Sequence, residues 1–337
     1  MNNAKGKVLV TGGAGFIGSH VARELLALGY CVVILDDLSG GFAGNVPDAA
    51  EFVEGSINDV ALLSELFDRH RFDYVFHLAA YAAEGLSHFI KRFNYTNNMI
   101  GSVNLINESV KHSVKCFVFT SSIAVYGTNR LPLREDFTAL PEDSYGIAKL
   151  AVELELQASR KMFGLNYIVF RPHNVYGEHQ NIGDKYRNVV GIFLNNILRG
   201  RPLMIFGDGE QTRAFTYIAD VAPVLARSIA HRECYGETFN IGSDIPYTVN
   251  QLARVAAKVM QNNVRIIHVE ARNEVEHAYS DHSKLKKFFG GQEYVDLEEG
   301  VRRMAAWVQK AGVRESKEFE NIEIYKNLPA GWLNSVG

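Results

Sequence analysis

A tyrosine and a lysine lie one helical turn apart near the middle of the chain. Tyr145 and Lys149 open the segment YGIAKLAVELELQASRKMF, and the apolar run before it, KCFVFTSS, ends on Ser121 and Ser122. Residues at i and i+4 share a helix face, so a phenol and an ammonium can reach one small volume, where the cation favours the phenolate. Such pairs are also common on exposed helices. With a hydroxyl nearby, the spacing indicates a tyrosine that accepts a proton near neutral pH.

A glycine-rich loop near the N-terminus gives that pair a context. The apolar strand KVLV runs straight into TGGAGFIG, in which Gly12, Gly15 and Gly18 have the spacing of a dinucleotide-binding turn. Glycines there permit a tight turn and let backbone N–H groups approach a pyrophosphate at the start of the next helix. Asp36 ends the following apolar strand, CVVIL. A carboxylate at that distance accepts from ribose hydroxyls and repels a 2′-phosphate, which predicts NAD rather than NADP.

The elements around these residues alternate between strand and helix patterns, as in a doubly wound parallel sheet. Helical stretches such as DVALLSELFDRH and NMIGSVNLINESVKHS separate the apolar runs. We predict an α/β fold of the Rossmann type, with the glycine loop, the acid and the serines at strand ends. After Pro172 the pattern becomes irregular, which predicts a smaller domain over the C-terminal ends of the strands. The predicted strands are KVLV, CVVIL, EFVEG, YVFHLAA, CFVFTSS and NYIVFRP.

Composition narrows the class of protein. The 337 residues are 47% hydrophobic and 22% charged, which is enough for one large core or two ordinary ones. The formal charge of −3 predicts no basic surface for nucleic acid. Three cysteines in unrelated settings indicate buried thiols in a reducing compartment rather than disulfides or a metal site. Because Met1 leads within a few residues into the first strand and no apolar run approaches a membrane span, we expect no membrane segment and a cytoplasmic location.

Six motifs in order carry a resemblance to a known family. They are TGGAGFIGSH, DDLSGG, YVFHLAA, FTSSIAVYG with YGIAK, RPHNVYG, and FGDGEQTRAFTYIADVA. Over about residues 7–310 the chain resembles the extended short-chain dehydrogenase/reductases, within them the NAD-dependent nucleotide-sugar epimerases and dehydratases, and among these most nearly the UDP-glucose 4-epimerases. The resemblance implies an NAD-binding Rossmann domain at 1–172, to which 214–242 return, and a discontinuous nucleotide-sugar domain at 173–213 and 243–337.

The resemblance also assigns residues to the cofactor. Tyr145 and Lys149 would face NAD as well as the substrate. His173, in RPHNVYG, would lie near the nicotinamide or pack as an aromatic ring against the cofactor. Ser56 stands where the family usually has the acid of an adenine-side GDI motif. The other cofactor positions implied by these matches are Gly12, Gly15, Phe16, Ile17, Gly18, Asp36, Asp37, Ser39, Gly40, Ile57, Leu78, Ala79, Ala80 and Asn97.

Substrate residues are implied on the other side of the site. Arg213 in QTRAF and Arg272 in VEARNEV match the family's two pyrophosphate arginines, and forked guanidinium groups suit diphosphate oxygens. Ala278 falls where epimerases place a residue that gates the sugar pocket, and its small side chain leaves room for an N-acetyl group. Glu84 would either face the sugar or remain a loop carboxylate. The amide contacts of the family match Asn174 and Asn188.

The residues after Ser122 bear on the reaction type. The 4,6-dehydratases carry an Asp-Glu pair there, whereas this chain has Ile123 and Ala124, neither of which transfers a proton. A 3,5-epimerase uses a cysteine, and the nearest one, Cys116, lies within a strand. We therefore expect 4-epimerisation of a UDP-hexose through a transient 4-keto sugar, with Ser122 orienting the 4-hydroxyl and Tyr145 taking its proton. The alternatives are a dehydratase, decarboxylase or reductase of the same family, or a non-catalytic NAD or nucleotide-sugar sensor.

Two helical segments, NMIGSVNLINESVK and YGIAKLAVELELQASRKMF, carry apolar residues on more than one face. A helix that is apolar beyond one stripe needs a second partner besides its own sheet. The family resemblance implies a four-helix interface there, so we expect a two-fold homodimer. The residues of the second segment that indicate this are Leu150, Val152, Leu154 and Leu156.

Overall fold

The computed structural model describes residues 5–184, 186–271, 275–291, 293–315, 319 and 321–329. No helix in these ranges is long and apolar enough to cross a membrane. The strands are β1 Lys7–Thr11, β2 Cys31–Asp36, β3 Glu51–Glu54, β4 Tyr74–His77, β5 Cys116–Thr120, β6 Tyr167–Pro172, β7 Val175–Tyr176, β8 Leu203–Phe206, β9 Thr212–Ala214, β10 Thr216–Tyr217, β11 Thr238–Ile241, β12 Pro246–Thr248, β13 Ile266–Val269 and β14 His277–Ala278. The helices are α1 Phe16–Ala27, α2 Val60–His70, α3 Glu84–Ser87, α4 Lys91–Tyr95, α5 Gly101–Lys111, α6 Ser144–Phe163, α7 Val189–Leu198, α8 Ala222–Ser228, α9 Val249–Val259, α10 Ser283–Phe289 and α11 Leu297–Ala311.

A seven-stranded sheet in the order β11-β6-β5-β4-β1-β2-β3 forms the centre of the fold. All neighbouring pairs run parallel, which confirms the predicted Rossmann architecture and its six strands. The chain moves outward from β1 to β2 and β3, then returns to β4 on the other side of β1. Loops that leave β1 and β4 therefore diverge at their carboxyl ends, and such a crevice is where ligands bind in open α/β sheets.

Both faces of the sheet are buried, and the strand residues divide between two apolar clusters. Val8 and Val10 of β1 pack into one cluster and Leu9 packs into the other, each fully buried. This alternation follows from the two-residue period of a strand. Each fully buried aliphatic side chain contributes about 1.5–3 kcal/mol relative to an exposed one. The sheet is therefore a rigid base for the loops at its carboxyl edge.

The second, smaller layer of structure lies over that edge. It contains a three-stranded sheet in the order β12-β9-β14, a two-stranded sheet of β13 and β8, and the helices α7, α9 and α11, which pack on one another. Helix α9 begins with a capping box, in which Thr248 accepts from the backbone of Gln251 and the Gln251 side chain accepts from Thr248. These elements belong to the second half of the chain, and they cover the crevice at the carboxyl edge of the main sheet.

A π-helical turn at Thr96–Ile100 joins α4 to α5. Asn98 in this turn exchanges two hydrogen bonds with the backbone of Tyr81, at 2.8 Å to its N–H and 3.0 Å to its carbonyl. The turn thus holds the loop that follows β4 against α4. Local π turns often mark functional sites, and Asn97 of this turn faces the crevice.

Candidate active site

A cavity of about 1480 Å³ lies between the carboxyl edge of the main sheet and the smaller layer. Its size exceeds that of an ordinary single-ligand pocket, which suits a site for two nucleotide-sized molecules. The structure brings together most of the residues that the sequence nominated. Those that line the cavity are Gly12, Gly15, Phe16, Ile17, Gly18, Asp36, Asp37, Ser39, Gly40, Ile57, Leu78, Ala79, Ala80, Glu84, Asn97, Ser122, Tyr145, Lys149, His173, Asn174, Asn188, Arg213 and Ala278.

Two nominated residues stand apart from this set. Ser56 does not line the cavity, and its hydroxyl accepts a hydrogen bond from the backbone N–H of Asn58 at 3.2 Å. The side chain serves the turn before α2, so the structure gives it no part in the cavity wall. Arg272 lies outside the described residues. The diphosphate role implied for it stays a prediction.

The glycine loop after β1 has no room for side chains. A Cβ atom on Gly18 would lie 2.1 Å from the Gly12 carbonyl oxygen, and one on Gly12 would lie 2.6 Å from the backbone nitrogen of Ala79. Gly12 also has a φ of +71°, in the left-handed region. Helix α1 begins at Phe16, and Gly15 before it provides no side-chain cap, so the N–H groups of its first turn face the crevice. This cradle fits a dinucleotide pyrophosphate.

Asp36 at the end of β2 is held by the backbone of that same loop. One carboxylate oxygen accepts from the N–H of Ala14 at 3.0 Å and the other accepts from Leu38 at 2.9 Å. Burial raises the pKa of Asp36, and these two hydrogen bonds oppose that rise. A carboxylate fixed in this way beside a pyrophosphate cradle suits the ribose hydroxyls of NAD.

The tyrosine, serine and lysine meet at the carboxyl end of β5. The Ser122 hydroxyl acts on the Tyr145 phenol and opposes the rise of its pKa, and its oxygen accepts from the N–H of Ala124 at 3.1 Å. The ammonium of Lys149 donates to the Thr120 carbonyl at 2.7 Å and lies 5.7 Å from the centroid of the Tyr145 ring. Asp143 caps α6 by accepting from Gly146 at 2.8 Å, which fixes the first turn that carries Tyr145.

Burial dominates the electrostatics of the catalytic pair. It raises the pKa of Tyr145, with the nearby Glu84 carboxylate adding to that rise and the Ser122 hydrogen bond opposing it. It also lowers the pKa of Lys149 to about 7, although Glu153 acts in the opposite direction. The sequence predicted a phenol with a lowered pKa. In the protein alone, desolvation of the phenol outweighs the groups that favour its ionisation, so the pKa of Tyr145 rises rather than falls.

Glu153 and Arg171 are residues of the site that sequence reasoning missed. They form a buried pair with Arg171 Nε 3.0 Å from Glu153 Oε1, and the Ser121 hydroxyl donates to that same oxygen at 2.5 Å. Removal of one partner from such a pair typically costs about 3–5 kcal/mol. Glu153 continues the four-residue spacing of Tyr145 and Lys149, so this spacing could have identified it.

The short helix α3 binds directly to the first turn of α6. The hydroxyl of Ser87 accepts from the N–H of Tyr145 at 3.1 Å and donates to the carbonyl of Glu84 at 2.6 Å. Glu84 lines the cavity, and its charge acts on Tyr145. The structure therefore places Glu84 in the cavity wall beside the candidate base, rather than in a loop remote from it.

His173 belongs to a buried chain of polar groups. One ring nitrogen, Nδ1, lies 2.8 Å from the Ala214 carbonyl and the other lies 3.0 Å from Nε2 of His282. His282 in turn contacts Asp244 through Nδ1 at 2.6 Å. Burial lowers the pKa of His173 to about 3, and His282 adds to that effect. His173 thus lines the cavity as a neutral ring with partners that its sequence position does not show.

The residues nominated for the substrate diphosphate come from the smaller layer. Arg213 on β9 pairs with Ala278 on β14, so a guanidinium and a small side chain lie side by side at the cavity. Arg213 donates to the backbone carbonyls of Thr212 and Glu276 at 2.9 Å. Asn188 starts α7 with a φ of +64° and does not cap that helix with its side chain. Asn174 has a φ of +42° at the end of β6.

Comparison with known proteins identifies the family. The model of the NAD-dependent epimerase/dehydratase family matches residues 8–242. The chain belongs to this family. Its cofactor is accordingly NAD, and the glycine cradle, Asp36 and the strand-end loops fit that cofactor.

The similarity to individual proteins extends over nearly the whole chain. A putative UDP-glucose 4-epimerase of Methanocaldococcus jannaschii is 33% identical over 305 residues, which are 90% of this chain and 98% of that protein. The crystal structure of a UDP-glucose 4-epimerase from Thermotoga maritima with UDP-glucose is 36% identical with a TM-score of 0.86, covering 90% and 99% of the two chains. A UDP-glucuronic acid 4-epimerase from Bacillus cereus, solved with UDP-glucuronic acid and NAD, is 27% identical with a TM-score of 0.84, covering 91% and 100%.

Proposed function

We propose that this protein catalyses the NAD-dependent 4-epimerisation of a UDP-hexose through a transient 4-keto sugar. The observation that carries the proposal is the composition of the site around Ser122. Tyr145, Ser122 and Lys149 line one cavity, while the two residues that follow Ser122 are Ile123 and Ala124. The site thus has groups for proton transfer at one sugar hydroxyl and lacks the acid pair of a dehydratase next to them.

The chain's own residues divide the work at the sugar. Tyr145 takes the proton of the 4-hydroxyl and later returns it, while the Ser122 hydroxyl orients that oxygen. NAD, when bound, supplies the acceptor and donor of hydride. Because burial raises the pKa of Tyr145 in the protein alone, the phenolate requires nearby positive charge, and Lys149 supplies part of it.

The names of the relatives support a UDP-sugar as the substrate, but the sugar differs from one relative to another. Arg213 would give up a hydrogen bond to a backbone carbonyl and donate to a diphosphate oxygen instead. Asn174 and Asn188 would bind nearby polar groups of the substrate. Ala278 leaves space beside Arg213, which favours a hexose with a bulky substituent such as an N-acetyl group. We therefore place UDP-glucose and UDP-N-acetylglucosamine first among the sugars to test.

The decisive experiment is product analysis with the purified NAD-loaded protein. UDP-glucose, UDP-N-acetylglucosamine, UDP-glucuronic acid and their C4 epimers are each incubated with it, and the products are analysed by mass spectrometry and proton NMR. We expect a product of unchanged mass with an inverted C4, the same mixture from either epimer, and no net accumulation of NADH. Tyr145→Phe serves as the inactive control.

Other products would point to other members of the family. A main product lighter by one water would indicate a dehydratase, and one lighter by carbon dioxide would indicate a decarboxylase. Loss of water would mean that a residue other than Ile123 or Ala124 supplies the missing proton transfer, and Glu84, which lines the cavity, is the candidate. Binding of a UDP-sugar without any turnover would support a sensor.

We also propose a two-fold homodimer through α5 and α6. Val152 and Leu156 are buried in the core, whereas Leu154 on the same helix is 55% exposed and Ile147 is 43% exposed. Ile100, just before α5, is 50% exposed. Exposed apolar side chains on adjacent helices support a helical interface. Light scattering should give twice the monomer mass, and Leu154→Lys should shift the protein toward the monomer.

A further inference from the structure

Residues near the C-terminal end of the described chain contact the wall of the cavity. Phe319 and residues 321–329 are called the C-terminal segment. The backbone N–H groups of Glu323 and Ile324 donate to the Phe89 carbonyl at 2.8 and 3.2 Å. The Glu323 carboxylate accepts from the N–H groups of Arg92 and Phe93 at 2.9 and 3.0 Å. These four bonds attach the segment to the start of α4, which has no side-chain cap of its own.

The segment supports residues that line the cavity. The Phe319 ring packs edge-on against Phe93 at 4.8 Å between centroids and against Tyr81 at 5.5 Å. Both Phe93 and Tyr81 line the cavity. Asn94, next to Phe93, donates to the Ser144 carbonyl at 2.7 Å, one residue before Tyr145. The wall on which the segment packs is therefore attached to the turn that carries the candidate base.

The end of the segment itself forms part of the cavity surface. Asn327, Leu328 and Pro329 line the cavity, and the Leu328 side chain is only 8% exposed. Ile324, five residues or fewer from each of them, bonds to Phe89, so they can lie no more than about 18 Å from the α3–α4 wall. The C-terminal segment thus contributes an apolar residue directly to the cavity.

We propose that the C-terminal segment is a specificity element for the sugar, with Leu328 limiting the size of the hexose substituents that the site accepts. The inference rests on the proposed function, since it assumes a UDP-hexose in the cavity. The family model ends at residue 242, and the M. jannaschii relative matches 90% of this chain with 98% of its own. The C-terminal segment therefore lies beyond the part of the chain that the family model matches.

The physical reason is steric. Glycines and strand ends form the cofactor side, and their backbone can move little. Leu328, by contrast, lies at the end of a segment that is held by a few hydrogen bonds. An apolar pocket wall discriminates between substrates by about 10- to 200-fold for each methylene-sized difference. Shortening Leu328 should admit a bulkier sugar, and lengthening it should exclude one.

The test compares Leu328→Ala, Leu328→Phe and the wild-type protein with UDP-glucose and UDP-N-acetylglucosamine. Ile324→Ala is the matched control, because Ile324 lies on the same segment, is 39% exposed and does not line the cavity. For each protein we measure kcat/KM with both sugars, bound NAD and the melting temperature. The dissociation constants of both UDP-sugars are measured by calorimetry on the same samples.

We expect Leu328→Ala to raise the ratio of kcat/KM for UDP-N-acetylglucosamine over UDP-glucose by about tenfold, with Leu328→Phe lowering it and Ile324→Ala leaving it unchanged. Bound NAD should be equal in all four proteins. Glu323→Ala, which removes two of the anchoring hydrogen bonds at the surface, should shift the ratio in the same direction as Leu328→Ala. It serves as the second variant if Leu328→Ala unfolds.

Equal losses with both sugars would show that the segment has only a structural role, and an unchanged ratio in all variants would likewise overturn the inference. If the wild-type protein binds the UDP-sugars without epimerising either, the proposed function fails. The inference is then judged on the ratio of the two dissociation constants, which Leu328→Ala must shift in the same direction.

Discussion

The two sides of the cavity are built on different principles. On the side proposed for the cofactor, the glycine cradle, Asp36 and the loop after β4 lie within about the first 80 residues of the chain. On the side proposed for the sugar, α3, α6, β9 and the C-terminal segment contribute single residues that lie between Glu84 and Leu328 in the chain. Backbone contacts suit one ligand common to a whole family. Side chains on separate segments can change one at a time, so the sugar side is where relatives can diverge.

The largest effect should come from the one side chain that both sides share. Tyr145→Phe keeps the ring and its packing and removes the ionisable oxygen, so turnover should fall by about two to four orders of magnitude while NAD stays bound. The measurements are product formation by NMR and bound NAD by absorbance after denaturation. Tyr126→Phe is the control, because Tyr126 bonds to Asn240 and does not line the cavity. Near wild-type turnover in Tyr145→Phe would remove the base assignment.

The next effect tests whether backbone geometry alone defines the cofactor side. Gly18→Ala places a methyl group where only 2.1 Å separates it from the Gly12 carbonyl, so the loop must move. Overpacking of this kind costs about 1–3 kcal/mol, which corresponds to roughly 5- to 150-fold weaker NAD binding. Gly44→Ala is the matched control, since a Cβ there would meet no atom within 4 Å. Calorimetric titration of NAD would contradict this view if the two variants bound it equally.

Asp36 tests the one side chain on which cofactor choice depends. Asp36→Ala removes the acceptor for the ribose hydroxyls and the charge that repels a 2′-phosphate, so discrimination against NADP should fall by about tenfold. Titration of NAD and NADP into both proteins measures the ratio. The Ala14 and Leu38 N–H groups lose their partner, so the thermal stability of the variant must be recorded beside its affinity. Tighter binding of NADP than NAD by the wild-type protein would refute the assignment.

The last effect is on stability rather than on turnover or binding, and it concerns the cost of burying Lys149 between the two sides. Burial lowers its pKa from an ordinary value near 10.5 to about 7, so above pH 7 the unfolded chain binds the proton more tightly than the folded one. The destabilisation is full below pH 7 and is relieved as pH rises toward 10.5, by at most about 1.4 kcal/mol per unit. Lys149→Met, which carries no charge, lacks this dependence. The difference in free energy of unfolding between Lys149→Met and the wild-type protein should therefore shrink between pH 7 and 10. Urea titrations of both proteins, either both with NAD or both without it, would measure this difference.

The cofactor side could be anticipated because its signals are local. Gly12, Gly15 and Gly18 are required by steric limits within a single turn, and Asp36 follows a strand whose apolar pattern is plain. Tyr145 and Lys149 share a helix face by spacing alone, and Glu153 extends the same row. The parallel arrangement of the sheet followed from the alternation of strand and helix patterns. Ser56 was harder to assign, because its motif departs from the family's and its hydroxyl serves a local turn.

The sequence by itself determined the fold class and the cofactor and nominated the residues proposed for proton transfer, because each depends on periodicity or on a short motif. Only the tertiary structure decided which groups from distant parts of the chain surround the proton-transfer group. Desolvation sets the pKa of Tyr145 and of Lys149, and it depends on how the whole domain packs. Glu84 raises the pKa of Tyr145, and Leu328 lines the same cavity, although these residues are far apart in the chain. Such long-range proximity has no local pattern in the sequence, since the folding of the intervening elements creates it.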